Sequence, residues 1–396
     1  MTHKAATRCV NSPATSDPFG AVAPPLYQTA TFRQSSALEF AEYDYSRSGN
    51  PTRTILEEQL ADLEGGAHAC AFASGMAAIT AVTRLVNSGE EIITSDDLYG
   101  GTVRLFEKVL PRQGISVRYV DATNVDAVRS ALSPRTKLIL VETPSNPLLR
   151  ICDIRGLSQI ANDAGVLLAV DNSMLSPILQ QPLSLGAHVV IHSATKFLGG
   201  HSDLTAGAVI TDDPALHEQI AFQQNAEGAA LSPFESWLLL RGLKTLALRV
   251  ERQNESAGKI AQFVKMQTGI NEVYYPGLNN HPGRELHCSQ AQGDGAVVSF
   301  TTADPEVSRK IVEGTKLFTI AVSFGSVGST ISLPCRMSHA SIPADLKQRL
   351  APPTDLVRIS VGIEDVNDLI ADLGSALSMV MEEKSDRKLI GLATSA

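Results

Sequence analysis

No stretch of this sequence approaches the roughly 20 consecutive apolar residues that a membrane helix needs. The longest apolar runs, Lys137-Leu-Ile-Leu-Val-Glu142 and Val166-Leu-Leu-Ala-Val-Asp171, are short and each ends on an acid, so no span is expected. Basic runs are missing as well: Lys and Arg total 33 against 42 Asp and Glu, a formal charge of -9. Without a basic stripe there is no electrostatic footprint for nucleic acid, which is excluded as a partner. Cysteine is sparse. The five (Cys9, Cys70, Cys152, Cys288, Cys335) are odd in number, scattered and never spaced as C-x-x-C. Neither a disulfide framework nor a zinc ribbon is expected, and the thiols read as reduced. The first ten residues lack an apolar export core and are too poor in Arg and Ser for a transit peptide, so the cytoplasm is the expected address. G-x-G-x-x-G after a strand and G-x-x-x-x-G-K-[ST] are both absent, which removes two familiar nucleotide-phosphate fingerprints.

What is present is the balance of a soluble globular protein: 396 residues, 43% hydrophobic and 19% charged, with room for two or three domains. Residues 1–52 are rich in Pro, Ser, Thr and aromatics without periodicity, and read as an extended arm that must lie on something. Regular alternation then begins with the helical patterns 55–63 and 75–86 on either side of the apolar run Ala69-Cys-Ala-Phe-Ala73. Strands are predicted at 91–94, 115–120, 138–141, 166–170, 189–192 and 207–210, with helix-length segments between most of them. Short apolar strands interleaved with helices imply a mostly parallel sheet covered on both faces. The expected division is an arm (1–52), an α/β domain (53–245) and a smaller α+β C-terminal domain (246–396). A long helical pattern over 236–266 leads into the last region, which is predicted to contain strands at 296–300, 319–323 and 357–360 and a closing helix over 365–381.

Ligands of open α/β sheets sit beyond the carboxyl ends of the strands, so polar residues there carry the functional signal. Ser74-Gly75-Met76 follows one strand and opens an Ala-rich helix, where free N–H groups and a residue without Cβ make a phosphate cradle. Taken alone, Ser74 is better read as a helix cap. Lys196 follows an apolar strand, where a partly dry cleft would lower its pKa and make it nucleophilic, although a lone lysine there is usually a solvated one. Asp171 ends a buried strand and needs a cation or a donor, which a plain turn would also supply. A phosphate cradle, an amine and a carboxylate at one sheet edge match what pyridoxal 5'-phosphate (PLP) requires: a Schiff-base lysine, a partner for the pyridine nitrogen and a phosphate site. Ser193-Ala-Thr-Lys196 satisfies the S-x-x-K of penicillin-recognising acylases, but S-D-N and K-T-G are absent and that reading fails. His281, His287 and Cys288 fit no zinc spacing and read as a surface loop, so no metal site is assigned.

These residues resemble the Cys/Met-metabolism PLP enzymes, which include cystathionine β- and γ-lyases, cystathionine γ-synthase and sulfhydrylases. The resemblance runs from about Tyr45 to the C-terminus. It is carried by Tyr45-Ser-Arg-Ser-Gly-Asn-Pro-Thr52, Ser74-Gly-Met-Ala-Ala78, Asp97-Leu-Tyr-Gly-Gly-Thr102, Glu142-Thr-Pro-Ser-Asn-Pro147, Val170-Asp-Asn172, His192-Ser-Ala-Thr-Lys-Phe197, Gly200-His-Ser-Asp203 and Val357-Arg-Ile-Ser360. Within the family, Asp171–Pro177, Gln224–Gly228, Ala321–Val327, Met337–Pro343 and Gly362–Val366 are similar to the plant-type β-lyases. Gly328 departs from the pattern: many γ-acting relatives carry a glutamate there and plant-type β-lyases a larger polar residue. Its absence argues against γ-chemistry and leaves recognition of the substrate's far end open.

The resemblance implies a fold-type I, aspartate aminotransferase-like large domain with PLP as cofactor. Lys196 would carry the cofactor and act as the base, Asp171 would meet the pyridine nitrogen, and Tyr99 would stack on the ring. Gly75, Met76, Ser193 and Thr195 would hold the phosphate, joined by Tyr45 and Arg47 from a neighbouring subunit. Arg358 would grip the substrate α-carboxylate, with Asn146 and Ser323 nearby; without the motif, Arg358 would read as a strand-edge ion pair. The implied activity is α,β-elimination of L-cystathionine to homocysteine, pyruvate and ammonia in methionine biosynthesis, with γ-lyase or γ-synthase/sulfhydrylase chemistry as the alternative. The implied assembly is a homotetramer of active-site-sharing dimers.

Overall fold

The computed structural model describes residues 3–11, 17, 19–340, 342–343 and 346–393, with side chains described to Val380. Ser341, within the quoted segment 337–343, and residues 1–2, 12–16 and 18 of the expected arm lie outside the described residues.

Seven strands form the larger sheet: β1 (His68–Phe72), β2 (Glu91–Ser95), β3 (Ser116–Val120), β4 (Thr136–Glu142), β5 (Leu167–Asp171), β6 (Val189–His192) and β7 (Gly207–Thr211). Their order is β1-β7-β6-β5-β4-β2-β3, and only β7 runs against its neighbours. The inner strands lack apolar/polar alternation because both faces are covered. Ile92, Leu138 and Leu140 face the layer of helices Gly75–Thr83 and Gly100–Lys108, while Ile93, Ile139 and Val141 face the layer of helices Pro51–Glu64 and Ile154–Ala164. Local chemistry sets the helix starts. Asn50 accepts from Thr52 N ahead of Pro51, Asp153 accepts from Gly156 N, and Gly65 and Gly165 end their helices at positive φ.

A five-stranded sheet follows, built from β8 (Glu272–Tyr274), β9 (Val297–Thr301), β10 (Thr319–Ile320), β11 (Thr330–Ser332) and β12 (Val357–Ser360), in the order β10-β11-β12-β9-β8. The predicted helical pattern 236–266 divides into helices Pro233–Leu243 and Leu246–Lys265, broken at Lys244 and Thr245. The predicted strand 319–323 shortens to two residues because the chain turns at Ser323 (φ 82) and Gly325 (φ 87). The closing helix runs on from Val366 to Ala393, well past residue 381.

The arm is more structured than a featureless extension. It contains the helix Ala5–Val10 and folds back on itself at a bridge between Thr31 and Tyr45. Trp237 Nε1 donates to Pro24 O (3.1 Å), and Thr52 Oγ1 donates to Pro25 O (2.9 Å). Even so, Phe19 and Leu38 are almost wholly exposed in the single chain, and Phe40 is largely exposed.

Candidate active site

One cavity of about 440 Å³ opens where the carboxyl ends of β1, β4, β5 and β6 meet loops of the second sheet. It is lined by Gly75, Met76, Tyr99, Asn146, Asp171, Ser193, Thr195, Lys196, Ser323 and Arg358, so ten of the predicted residues converge there. Tyr45 and Arg47 do not line it. Both are exposed on the arm, where the Arg47 guanidinium lies 5.4 Å from the Tyr45 ring centroid and Arg47 Nε donates to Asn225 Oδ1 (3.0 Å).

The anion cradle comes from β1, β6 and β7 pressed together. A Cβ on Gly75 would lie 2.7 Å from Ser193 Cβ, and one on Gly207 would collide with the Ser74 carbonyl, so both positions require glycine. Ser74 is indeed a helix cap, accepting from Ala77 N (3.1 Å), and it also lines the cavity. Among the described residues, the Gly75 and Met76 N–H groups at this helix start have no hydrogen-bond partner. They are free for an anion, with the Ser193 and Thr195 hydroxyls beside them. Thr195 Oγ1 donates to Ala206 O (3.2 Å) and accepts from Ala206 N (3.0 Å), which fixes its rotamer.

The Lys196 amine donates to Ser323 Oγ (2.5 Å) and stands 4.9 Å from the Phe324 ring centroid. Desolvation, reinforced by the Arg358 charge, lowers its pKa to about 8, so neutral amine is available near neutral pH. Asp171 accepts from Ser173 N (2.9 Å), and desolvation raises its pKa. Its register partner Glu142 is raised further, by desolvation and then by Asp171 and Asp97. Arg358, 2% exposed, donates from Nη1 to Asn146 Oδ1 (2.7 Å) and from Nη2 to Ser323 O (2.8 Å). Both of these acceptors are neutral, and desolvation pulls it down to about 10. It still carries its charge at neutral pH and can bind a carboxylate.

The sequence reading assigned no role to four groups at this site. Glu142 accepts from Tyr99 N (3.4 Å), fixing the loop that presents the ring. His339 packs edge-on to Tyr99, its Nε2 within reach of Leu98 O (3.1 Å) and Asn146 O (3.2 Å), and desolvation holds it down to about 4. Phe324 offers its ring to both Lys196 and Arg358. Arg104 is an exposed cation on the cavity wall. Glu142, Phe324 and His339 sat inside quoted motifs; Glu142 also closes an apolar run at a strand end, but nothing in the spacing of the other two marks them. The segment holding His281 and His287 is no surface loop: both side chains are buried, the second within helix Arg284–Gln290, and each reaches a backbone carbonyl. Among the described residues, no group of three or more His, Cys, Asp or Glu is arranged to hold a metal ion.

The donor set fits PLP: a glycine-lined helix start for a phosphate, a lysine amine for an aldehyde, a carboxylate for a ring nitrogen and an aromatic face. The family model for Cys/Met metabolism PLP-dependent enzymes matches residues 6–378. The chain belongs to this family. As one of the Cys/Met-metabolism enzymes it is 53% identical over 370 residues to the chloroplastic cystathionine β-lyase of Arabidopsis thaliana, covering 93% of this chain and 80% of the relative. It is 49% identical over 361 residues to a cystathionine γ-lyase of Bacillus subtilis, covering 91% of this chain and 95% of that one. Among solved structures, the cystathionine γ-lyase of Lactobacillus plantarum complexed with L-serine superposes with a TM-score of 0.93 at 41% identity, over 96% of this chain and all of that one. The fold is therefore the fold-type I α/β architecture of these PLP enzymes.

Proposed function

We propose that this family member is a carbon–sulfur lyase that cleaves L-cystathionine by α,β-elimination to homocysteine, pyruvate and ammonia. The observation that carries this is the Lys196 amine, poised near neutrality, in the same cavity as the carboxylate-binding Arg358. When bound, PLP supplies an electron sink for the charge that develops at the substrate Cα. The protein's own part is orientation and proton handling. Arg358 takes the α-carboxylate in its planar fork, with Asn146 holding Nη1, so the Cα–H is presented in one orientation. Lys196 Nζ takes the Cα proton, guided by Ser323 Oγ, and Asp171 keeps a negative charge against the ring nitrogen. Tyr99 covers the open face and helps exclude water.

The homocysteine sulfur then leaves from Cβ, and the three-carbon remainder hydrolyses to pyruvate and ammonia. Cystathionine carries a second carboxylate, and Arg104 is the cation on the wall available to it. A Cβ at Gly328 meets nothing within 4 Å, so the position is open and itself carries no acidic side chain to serve γ-chemistry.

Under this reading the chain divides into an arm (1–52), a PLP-binding domain (53–245) and a C-terminal domain (246–396). The arm's exposed Phe19, Leu38 and Phe40 fit burial against a second copy, which would receive Tyr45 and Arg47 at its phosphate site in a homotetramer of paired dimers. Five cysteines without a disulfide fit a reducing, cytoplasmic address.

Incubation of the holoenzyme with L-cystathionine and identification of the keto acid tests the proposal. Pyruvate with homocysteine supports it; 2-oxobutyrate with cysteine moves the assignment to γ-cleavage. Lys196→Ala removes both the visible cofactor colour and turnover, and a fully active variant would sink the role of Lys196.

A further inference from the structure

Helix Leu246–Lys265 passes behind both loops that supply the cavity's facing groups, and it turns one guanidinium toward them. Arg249 is 4% exposed, and among the described residues no carboxylate pairs with it. Its donors go instead to Thr245 Oγ1 (3.1 Å), Phe197 O (2.7 Å), Leu198 O (3.3 Å) and Gly242 O (2.8 Å). Desolvation lowers its pKa to about 10, which leaves it charged at neutral pH. A buried cation without a counter-ion is costly, so the carbonyls that solvate it are held firmly in place. Two of them belong to the residues directly after Lys196.

The neighbouring backbone is shaped around this group. A Cβ at Gly200 (φ 74) would run into the guanidinium, and one at Gly242 would lie 2.5 Å from Gly199 O. One helical turn on, Gln253 donates to Ser326 O (2.8 Å) and Val361 O (3.0 Å), which anchors the loop that carries Ser323 and Phe324. The two loops also bond to each other, Val327 N to Gly200 O (2.8 Å), while Gly200 N returns to Lys196 O (2.8 Å). Gly325 completes the contact, since a Cβ there would lie 2.7 Å from Phe197 N.

We propose that Arg249, with Gln253 one turn along, is a positioning residue that ties the backbone behind Lys196 to the backbone behind Ser323, keeping amine and hydroxyl in register across the cavity. This rests on the roles given above to Lys196 and Ser323. An ammonium cannot replace the guanidinium, because the carbonyls of Phe197, Leu198 and Gly242 are met by a planar fork that a lysine does not possess.

The test compares native holoenzyme with Arg249→Met, Arg249→Lys and Gln253→Met. In Arg249→Met the pH midpoint of the cofactor's visible absorption shifts, and kcat falls about 10²-fold with a smaller change in KM, as expected for a misplaced reacting group. Arg249→Lys does not restore either. In the same chains, with or without cofactor, amide hydrogen exchange accelerates at Gly200 and Val327 while β9 stays protected. Should Arg249→Met not fold, Gln253→Met decides by itself, through faster exchange at Val327 and a raised KM. Lower melting temperatures with an unmoved absorption midpoint and native exchange at Gly200 and Val327 overturn the proposal. A native protein that never develops a cofactor band overturns the reading of Lys196 instead, while the exchange data still decide the tie.

Discussion

The two walls of the cavity bury charge in opposite ways. On the large-sheet wall Glu142 and Asp171 are partners on adjacent strands, with Asp97 buried nearby; desolvation holds Asp97 up to about 6, and desolvation with repulsion from Asp171 and Asp97 holds Glu142 well above the ordinary carboxylate range. On the facing wall the buried cation Arg358 is held by neutral acceptors, one amide oxygen and one carbonyl. Each wall is therefore unfinished in a complementary sense. The acidic wall is stabilised by an incoming positive charge and the basic wall by an incoming carboxylate, which are the charges that the ring nitrogen and an amino-acid substrate bring. Lys196 lies between, coupled to both: Arg358 lowers its pKa while Asp171 and Glu142 raise it.

Removing the carboxylate from the acidic wall should do the greatest damage. Asp171→Asn leaves the ring nitrogen without a counter-charge, and kcat in steady-state assays falls about 10²–10³-fold. A variant within about twofold of native would break the idea that this wall is electrostatic in purpose. On the opposite wall, Arg358→Lys retains a charge but not the fork, and kcat/KM falls about 10–10²-fold. Equal losses in Arg358→Lys and Arg358→Ala would mean that geometry rather than charge carries this wall.

The smallest effect tests the group between the walls. Lys196 titrates near 8 instead of 10.5 because desolvation and Arg358 both disfavour the ammonium. The neutral amine is the nucleophile, so the rate of PLP capture by cofactor-free protein rises about tenfold per pH unit below 8 and levels off above it. A rise that continues to pH 10 in stopped-flow absorbance would show that the two walls leave the lysine unperturbed.

The acidic wall was readable in the sequence because its residues close apolar runs: Asp171 ends Leu167–Asp171 and Glu142 ends Thr136–Glu142, and a strand's end is where an open sheet binds. The facing wall was readable only through family motifs. Arg358 sits within a four-residue strand, and Ser323 owes its place to a backbone turn at positive φ that no pattern announces. The three-residue strands β8 and β11 were missed because so short a segment has no measurable period. The break at Lys244 and Thr245 was missed because neither residue punctuates a helix, so apolar spacing continues across it. Arg249 carried no signal either: its importance lies in three carbonyls, and carbonyls are the same in every residue.

The strand order has a consequence for how the protein is made. β1 lies at the sheet edge, paired with β7 along its length and bridged at Phe72 to Ala230; the β7 pairing brings Gly207 against Ser74 and closes the anion cradle. On the ribosome, β1 emerges early and must wait, edge unsatisfied, until residues 207–211 have been synthesised. No nascent chain can capture the cofactor before that moment, and the carboxylate fork on β12 arrives later still. Cofactor binding is thus timed to follow completion of the large sheet, and a product truncated before β7 should be recognised by chaperones as an open edge.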